Sequence, residues 1–274
     1  MVSKRSMWKG FVSIGLLNVP VKMITMREDK KISAHMYRAA DLSPIKMPKV
    51  AEKDGAVVPY NEIVFGYEID GGKEIVILSK AEKEAAKVES DHKIAVEGFV
   101  PVEEIDQMYF DGAYILIPDG MPGAYSLLLE AFKVRGKAGI GKITVREKEY
   151  IAIVHAYEGG LVLSTLKYQD EVVMPREVDD LKALPVANPN ELNLAVSIID
   201  ALAARFDLTK YHDGAREKLL SIIEAKRHGE VIVAEPVQVE KPAALMDALK
   251  AVLAEVEKQK VEHPLAPQGE IPAR

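Results

Sequence analysis

The first two-thirds of the chain is a train of short runs rich in Val and Ile: FVSIGLLNVPVKMITM, EIVFGYEI, KEIVIL, HKIAVEGFVPV, AYILIP, KITVREKEYIAIV and GLVLSTLKY. Gly, Pro or Asp separates them. Branched side chains crowd a helix but pack well on a pleated surface, and turns at regular spacing fold such strands back on one another. A β-barrel or sandwich is the predicted core. Two helical stretches interrupt it. In SKAEKEAAKV, Ser79 is a predicted N-cap. In GAYSLLLEAFKVRGK, residues Tyr125, Leu128, Leu129 and Phe132 share one face.

The segment RAADLSPIKMPKVAEKDGAVVP, residues 38–59, differs. Pro44 and Pro48 forbid a helix interior or a central strand, so an extended excursion from the barrel is predicted. Long excursions inside compact domains are often functional. After residue 187 the pattern turns helical. Asn188 is a predicted N-cap with Pro189 in the first turn. Leu192, Ala195, Val196, Ile199, Leu202, Ala203 and Phe206 form an apolar stripe. Thr209 is the predicted cap of a second helix that Gly229 closes. A Pro/Val linker leads to a third, amphipathic helix over 243–260, and the Pro-rich end is predicted to be disordered. The fold class is thus mainly β with a helical C-terminal part: a core over 1–187, a helical arm over 188–230, and a linker, amphipathic helix and acidic tail over 231–274.

The chain contains no cysteine, which removes disulfides, thiolate catalysis and Cys-ligated zinc. No apolar run reaches membrane-spanning length, and Ser13, Gly15 and Asn18 break the N-terminal apolar stretch, so a strand is predicted there in place of a signal peptide. GKAGIGKI, residues 136–143, has the G-x-x-x-x-G-K spacing of a phosphate loop. Such a loop runs from strand to helix and needs Ser or Thr after the Lys. Here Ile143 follows Lys142 and the order is helix, glycines, strand, so the glycines are predicted to turn a helix into a strand. The histidines, His35, His92, His155, His212, His228 and His263, show no metal-ligand spacing, and His212 is expected on a helix surface. In EEIDQMYFD, Asp106 and Asp111 suit turns better than an acid/base pair. No enzyme, cofactor or metal site is predicted.

The net charge of −6 argues against a polyanion partner, but its distribution does not. Residues 1–53 hold eleven Lys/Arg against four Asp/Glu. In KITVREKEYIAIV, read as one strand, alternation places Lys142, Thr144, Arg146, Lys148 and Tyr150 on one face. Positions on that face step roughly 6–7 Å, and three of them hold cations, a spacing useful against a phosphate backbone. A solvated edge has the same pattern. The basic stretch has few aromatics, only Trp8, Phe11 and Tyr37, so double-stranded backbone binding suits it better than base stacking.

The block MWKGFVSIGLLNVPVKM resembles the opening of prokaryotic Ku proteins, and VPYNEIVFGYE, EGFVPVEEIDQMYFD, GGLVLSTLKYQDEV and KYHDGAREKLLSIIEAKRHGE match further blocks in order. The resemblance covers about residues 5–232 and implies a Ku-type β-barrel core with a long extended bridge, here 25–60, and a helical arm. It implies a homodimeric ring that encircles double-stranded DNA ends without reading sequence. It also implies a scaffold for double-strand break repair by non-homologous end joining that recruits an ATP-dependent DNA ligase and is cytoplasmic and nucleoid-associated. Lys22 belongs to the opening block. Carried onto the bridge, the resemblance makes Arg27, Lys30, Lys31, Arg38, Lys46 and Lys49 candidate DNA contacts, with Lys142, Arg146 and Lys148 on the core. The chain departs from the family pattern at Ala51 and Asp54, where many members carry a C-x-x-C-G, so no metal role is expected there. Its tail, 230–274, has five Lys/Arg against eight Asp/Glu and should add no DNA affinity; helix 243–260 suits partner docking or packing. The alternative from a different class is a β-barrel protein-interaction module with a solvated basic face.

Overall fold

The computed structural model describes residues 5–86 and 91–229, together with Val252. Among these lie nine strands, β1 (Trp8–Ile14), β2 (Leu17–Thr25), β3 (Phe65–Ile69), β4 (Glu74–Leu78), β5 (Lys93–Pro101), β6 (Phe110–Pro118), β7 (Lys137–Val145), β8 (Lys148–Tyr157) and β9 (Gly160–Leu166). The helices are α1 (Lys80–Ala85), α2 (Pro122–Arg135), α3 (Asp179–Lys182), α4 (Pro189–Ala201) and α5 (Gly214–Arg227). Two compact units divide the chain, the first ending at Met174 and the second beginning at Pro175.

Seven strands close a barrel in the order β1-β2-β6-β9-β8-β7-β5, and β3 and β4 form a separate hairpin. An odd number of strands cannot alternate direction around a closed ring, so one neighbouring pair must run parallel. That pair is β1 and β5, with Phe11 beside Lys93 and Ile14 beside Val96. Closure leaves no unpaired edge in the ring. Alternation fills it: in β2, Val19, Val21 and Met23 are buried while Pro20, Lys22 and Ile24 are not. Val12, Leu116, Val154, Leu161 and Leu163 point into the same core.

Helix α2 plugs one mouth of the barrel with the predicted face, Tyr125, Leu128, Leu129 and Phe132. The Tyr125 hydroxyl donates to the Leu116 carbonyl at 2.7 Å and accepts from the Leu161 N–H at 2.9 Å, tying α2 to β6 and β9. Gly136, at φ 60°, ends α2, its N–H donating to the Phe132 carbonyl. The other glycines of GKAGIGKI are not part of that turn, as the sequence led us to expect, but lie within β7. A Cβ on Gly141 would sit 1.7 Å from the Ala95 carbonyl oxygen, so β5 and β7 can approach only where that side chain is missing. Ser79 caps α1 as predicted, with Glu82 completing a capping box.

In the second unit Asn188 caps α4 and Pro189 opens it, as the spacing predicts. The helix ends at Ala201, so Ala203 and Phe206 of the predicted stripe lie beyond it. The next helix starts later than predicted. Asp213 caps α5 by accepting from the Arg216 N–H at 3.0 Å. Thr209 lies instead inside a short 3₁₀ turn, Leu208–Lys210, where Asp207 accepts from its N–H at 3.0 Å and from its hydroxyl at 2.6 Å. His212 is exposed but precedes α5 and is not on it. None of the described residues of this unit is buried. Apart from Val252, which is helical and exposed, the helix predicted over 243–260 and the acidic tail lie outside the described residues.

Candidate nucleic-acid interface

The strand directions fix what gathers at the barrel mouth opposite α2: the starts of β1, β5, β6 and β8 and the ends of β2, β7 and β9. The bridge leaves from this mouth after Thr25, and the chain returns to it at Lys93. Between Met26 and Pro59 the backbone makes only two isolated bridges, Tyr37 with Pro44 and Val50 with Val57. Each is closed locally: Asp41 accepts from the Ser43 N–H and Asp54 from the Ala56 N–H. No residue of the segment is buried. This is the predicted excursion, and Ala51 and Asp54 stand inside its second loop.

The predicted cation-lined strand is instead a hairpin. β7 ends at Val145 and β8 begins at Lys148, which lies opposite Val145. Arg146 and Glu147 form the turn at φ 49° and 72°. Positive φ at both central positions is the type I′ hairpin turn, which Asn-Gly usually supplies. Non-glycine residues there cost of order 1–3 kcal/mol, which the flanking ladder must offset. Lys142, Arg146 and Lys148 therefore do not line one face. Lys142 points from the middle of the ladder to Glu149, 3.0 Å away, while Arg146 and Lys148 stand at the tip.

The tip and the root of the bridge lie at the same mouth. The Arg27 guanidinium donates to the Asp111 carbonyl at 3.0 Å. The Asp111 carboxylate pairs with Lys167 at 3.7 Å, and Lys148 pairs with Glu171 at 3.3 Å. Lys148 also lies 5.1 Å from the ring centre of Tyr150. Arg146 lines a cavity of about 150 Å³ with Tyr114, Tyr150 and Thr165. Arg27, Arg146 with Lys148, and Lys167, from three stretches of sequence, thus share one mouth. The Glu171 hydrogen bond raises the Lys148 pKa, and the Glu149 hydrogen bond does the same for Lys142, so both are held firmly protonated. Glu171 is held below its ordinary value first by the Tyr168 N–H and then by Lys148.

The remaining candidates are spread out. Lys30 pairs with Glu28 at 3.2 Å and Lys31 with Asp29 at 2.9 Å, while Arg38 pairs with Asp41. Lys49 lies 5.5 Å over the Tyr60 ring, and Lys46 is exposed. Lys22 is away from the mouth: its ammonium meets Asp119 at 2.5 Å, in the loop after β6. The pairs of the bridge, at Lys30, Lys31 and Arg38, are exposed, and exposed pairs contribute only about 0–1 kcal/mol, so a phosphate can replace the carboxylate there at little cost. The sequence reading missed Lys9 and Lys167. Lys9 stands directly across from Lys22, and its alternation with buried Trp8 was the available signal. Lys167 follows the last barrel strand and had none. Among the described residues no three potential metal ligands gather, and no helix is long and apolar enough to cross a membrane.

Comparison with known proteins adds to this geometry. The family described as the Ku70/Ku80 β-barrel domain matches residues 13–194. The chain is 39% identical to the Non-homologous end joining protein Ku of Archaeoglobus fulgidus, across 92% of this chain and 99% of the relative. It is 32% identical to the protein of that name from Bacillus subtilis, across 99% and 86% of the two chains. A third, from Coxiella burnetii, is 32% identical across 94% and 97%.

Proposed function

The chain belongs to the Ku family of end-joining β-barrel proteins, and from that premise we propose that it binds the ends of double-stranded DNA without reading their sequence. Lys and Arg contacts to phosphate supply such affinity, and no base-edge readout is needed. The observation that carries the reading is the convergence of Arg27, Arg146, Lys148 and Lys167 at the mouth where the bridge leaves and returns. Along the bridge, Lys30, Lys31, Arg38, Lys46 and Lys49 extend the contact, while Lys22 and Lys142 stand farther off on the barrel wall. The protein acts as a scaffold, without chemistry of its own, in double-strand break repair in the cytoplasm at the nucleoid, and it recruits an ATP-dependent DNA ligase.

A ring needs a second copy. The apolar side chains of the bridge and of the β3–β4 hairpin support one: Leu42, Met47, Phe65 and Ile75 are each more than half exposed. So does the helical arm over 188–230, whose stripe is unburied. Large exposed apolar side chains in each of these segments supply what an association surface needs. A homodimer places the same patch on both subunits.

A mobility-shift comparison of linear and closed circular duplex tests end loading; equal affinity for both would exclude it. Arg146→Glu with Lys148→Glu should weaken binding and flatten the dependence of log K on log salt by about 0.9 per lost phosphate contact. An unchanged slope removes the tip from the interface. The pairing of so many candidates with carboxylates favours the second reading, a protein-interaction barrel with a solvated basic face. Gel filtration with a short duplex at low salt separates the two, since that reading expects no DNA-dependent shift.

A further inference from the structure

The mouth plugged by α2 carries a groove of about 430 Å³, lined by Ile14, Phe99, Leu128, Ala131 and Phe132, with Arg135 and Lys137 at its rim. Its floor is aromatic: the Phe99 and Phe132 rings are 5.8 Å apart and tilted by 54°, and Phe99 is 47% exposed. Helix α2 is apolar on more than the face it buries. Leu127 and Val134, seven residues apart and so on one side, are 71% and 80% exposed. Beside Ile14, the β1–β2 turn holds Leu16 wholly in solvent. A helix apolar on both sides is expected to be covered on both sides. Here one side packs into the barrel and the other meets water.

The charged residues that line the groove, Arg135 and Lys137, are both cations. Lys133 and Arg135 fall in the last turn of α2, and Lys137 follows at the start of β7. Among the described residues, the ion pair seen here is that of Lys133 with Glu130, at 2.7 Å. An apolar floor offers nothing to a phosphate backbone, whereas it accepts aliphatic or aromatic anchors, and the cationic rim then favours acidic flanks. The groove lies at the opposite end of the barrel from the Arg146 tip, so both sites can be filled together.

We propose that this groove docks a peptide segment of a partner protein that presents aliphatic or aromatic anchors beside acidic residues. The anchors fill the space between Phe99, Leu128 and Phe132, and the acidic flank meets Arg135 and Lys137. The assignment does not depend on the DNA-binding reading.

The test uses the full chain and fluorescence anisotropy of a short labelled peptide carrying Leu and Phe at helical spacing among Glu residues. A control peptide replaces each Glu with Lys. The acidic peptide should bind saturably and at least about tenfold more tightly than the control. Ala131→Glu, an exposed helical position, should abolish that binding, and Arg135→Glu should weaken it, with circular dichroism and duplex binding unchanged. Equal binding of the two peptides, or none, overturns the proposal. So does retained binding by the Ala131→Glu protein. Loss of duplex affinity on Arg135→Glu would reassign the rim to nucleic acid, and a changed oligomeric state on Ala131→Glu would reassign the groove to a second copy of the chain.

Discussion

Leu163, in the barrel wall, is fully buried, and its backbone is paired with Tyr114 on one side and Val154 on the other. Met47, on the bridge, is 76% exposed and lies between two isolated bridges. Both sit in extended chain, and both regions satisfy their turns with local hydrogen bonds. What differs is where the side chains go. The barrel converts its backbone pairing into a shared interior, so its shape is fixed by the chain itself. The bridge has turns, closed by Asp41 and Asp54, but no interior. Its local conformation is specified, while its burial awaits contact from outside.

That contrast can be broken by matched deletions. Leu163→Ala should cost about 2–5 kcal/mol, while Met47→Ala should stay within about 0.5 kcal/mol. Urea denaturation followed by far-ultraviolet circular dichroism measures both. A large effect at Met47 would mean that the bridge packs as the barrel does. Gly141→Ala comes next. Its new methyl meets the Ala95 backbone oxygen, and the resulting overpacking should cost about 1–3 kcal/mol, read as a drop in thermal midpoint. Tyr125→Phe should cost about 1–2 kcal/mol, because it strands the Leu161 N–H and the Leu116 carbonyl. Faster hydrogen exchange at the Leu161 amide would locate that loss at the plugged mouth.

The smallest effect lies at the surface. Glu171 has a depressed pKa, so its contribution to stability is present above about pH 4.3, the ordinary glutamate value. That contribution is lost as pH falls through the lower folded-state value. Lys148→Gln should raise the Glu171 pKa only part of the way, because the Tyr168 N–H remains. Carboxyl-carbon NMR titration reads it; full return to the ordinary value would assign the whole effect to Lys148.

The barrel was legible because β-branched runs and alternation are local signals: the predicted runs contain or overlap all of its strands. The α2 face was legible for the same reason. The β7–β8 turn was not, because Arg146-Glu147 carries no glycine, asparagine or proline to announce it. The late start of α5 was hidden by two competing caps, since Asp207 engages Thr209 before Asp213 can be seen to act. The cluster at the mouth was illegible for a different reason. Alternation orders side chains along one strand, but it cannot say that Arg27 will meet the Asp111 backbone or that Lys167 will face the Asp111 carboxylate. Those meetings depend on which strands become neighbours.

The parallel seam between β1 and β5 has a consequence for how the molecule is made. Phe11 cannot find its neighbour Lys93 until the bridge and the β3–β4 hairpin have been synthesised. The ring then stays open until β9 arrives. Contacts of such high sequence separation slow folding. The nascent β1–β2 hairpin must therefore hold two unsatisfied edges until β5 and β6 emerge to pair with them, and the bridge is already hanging from the mouth when the wall closes behind it.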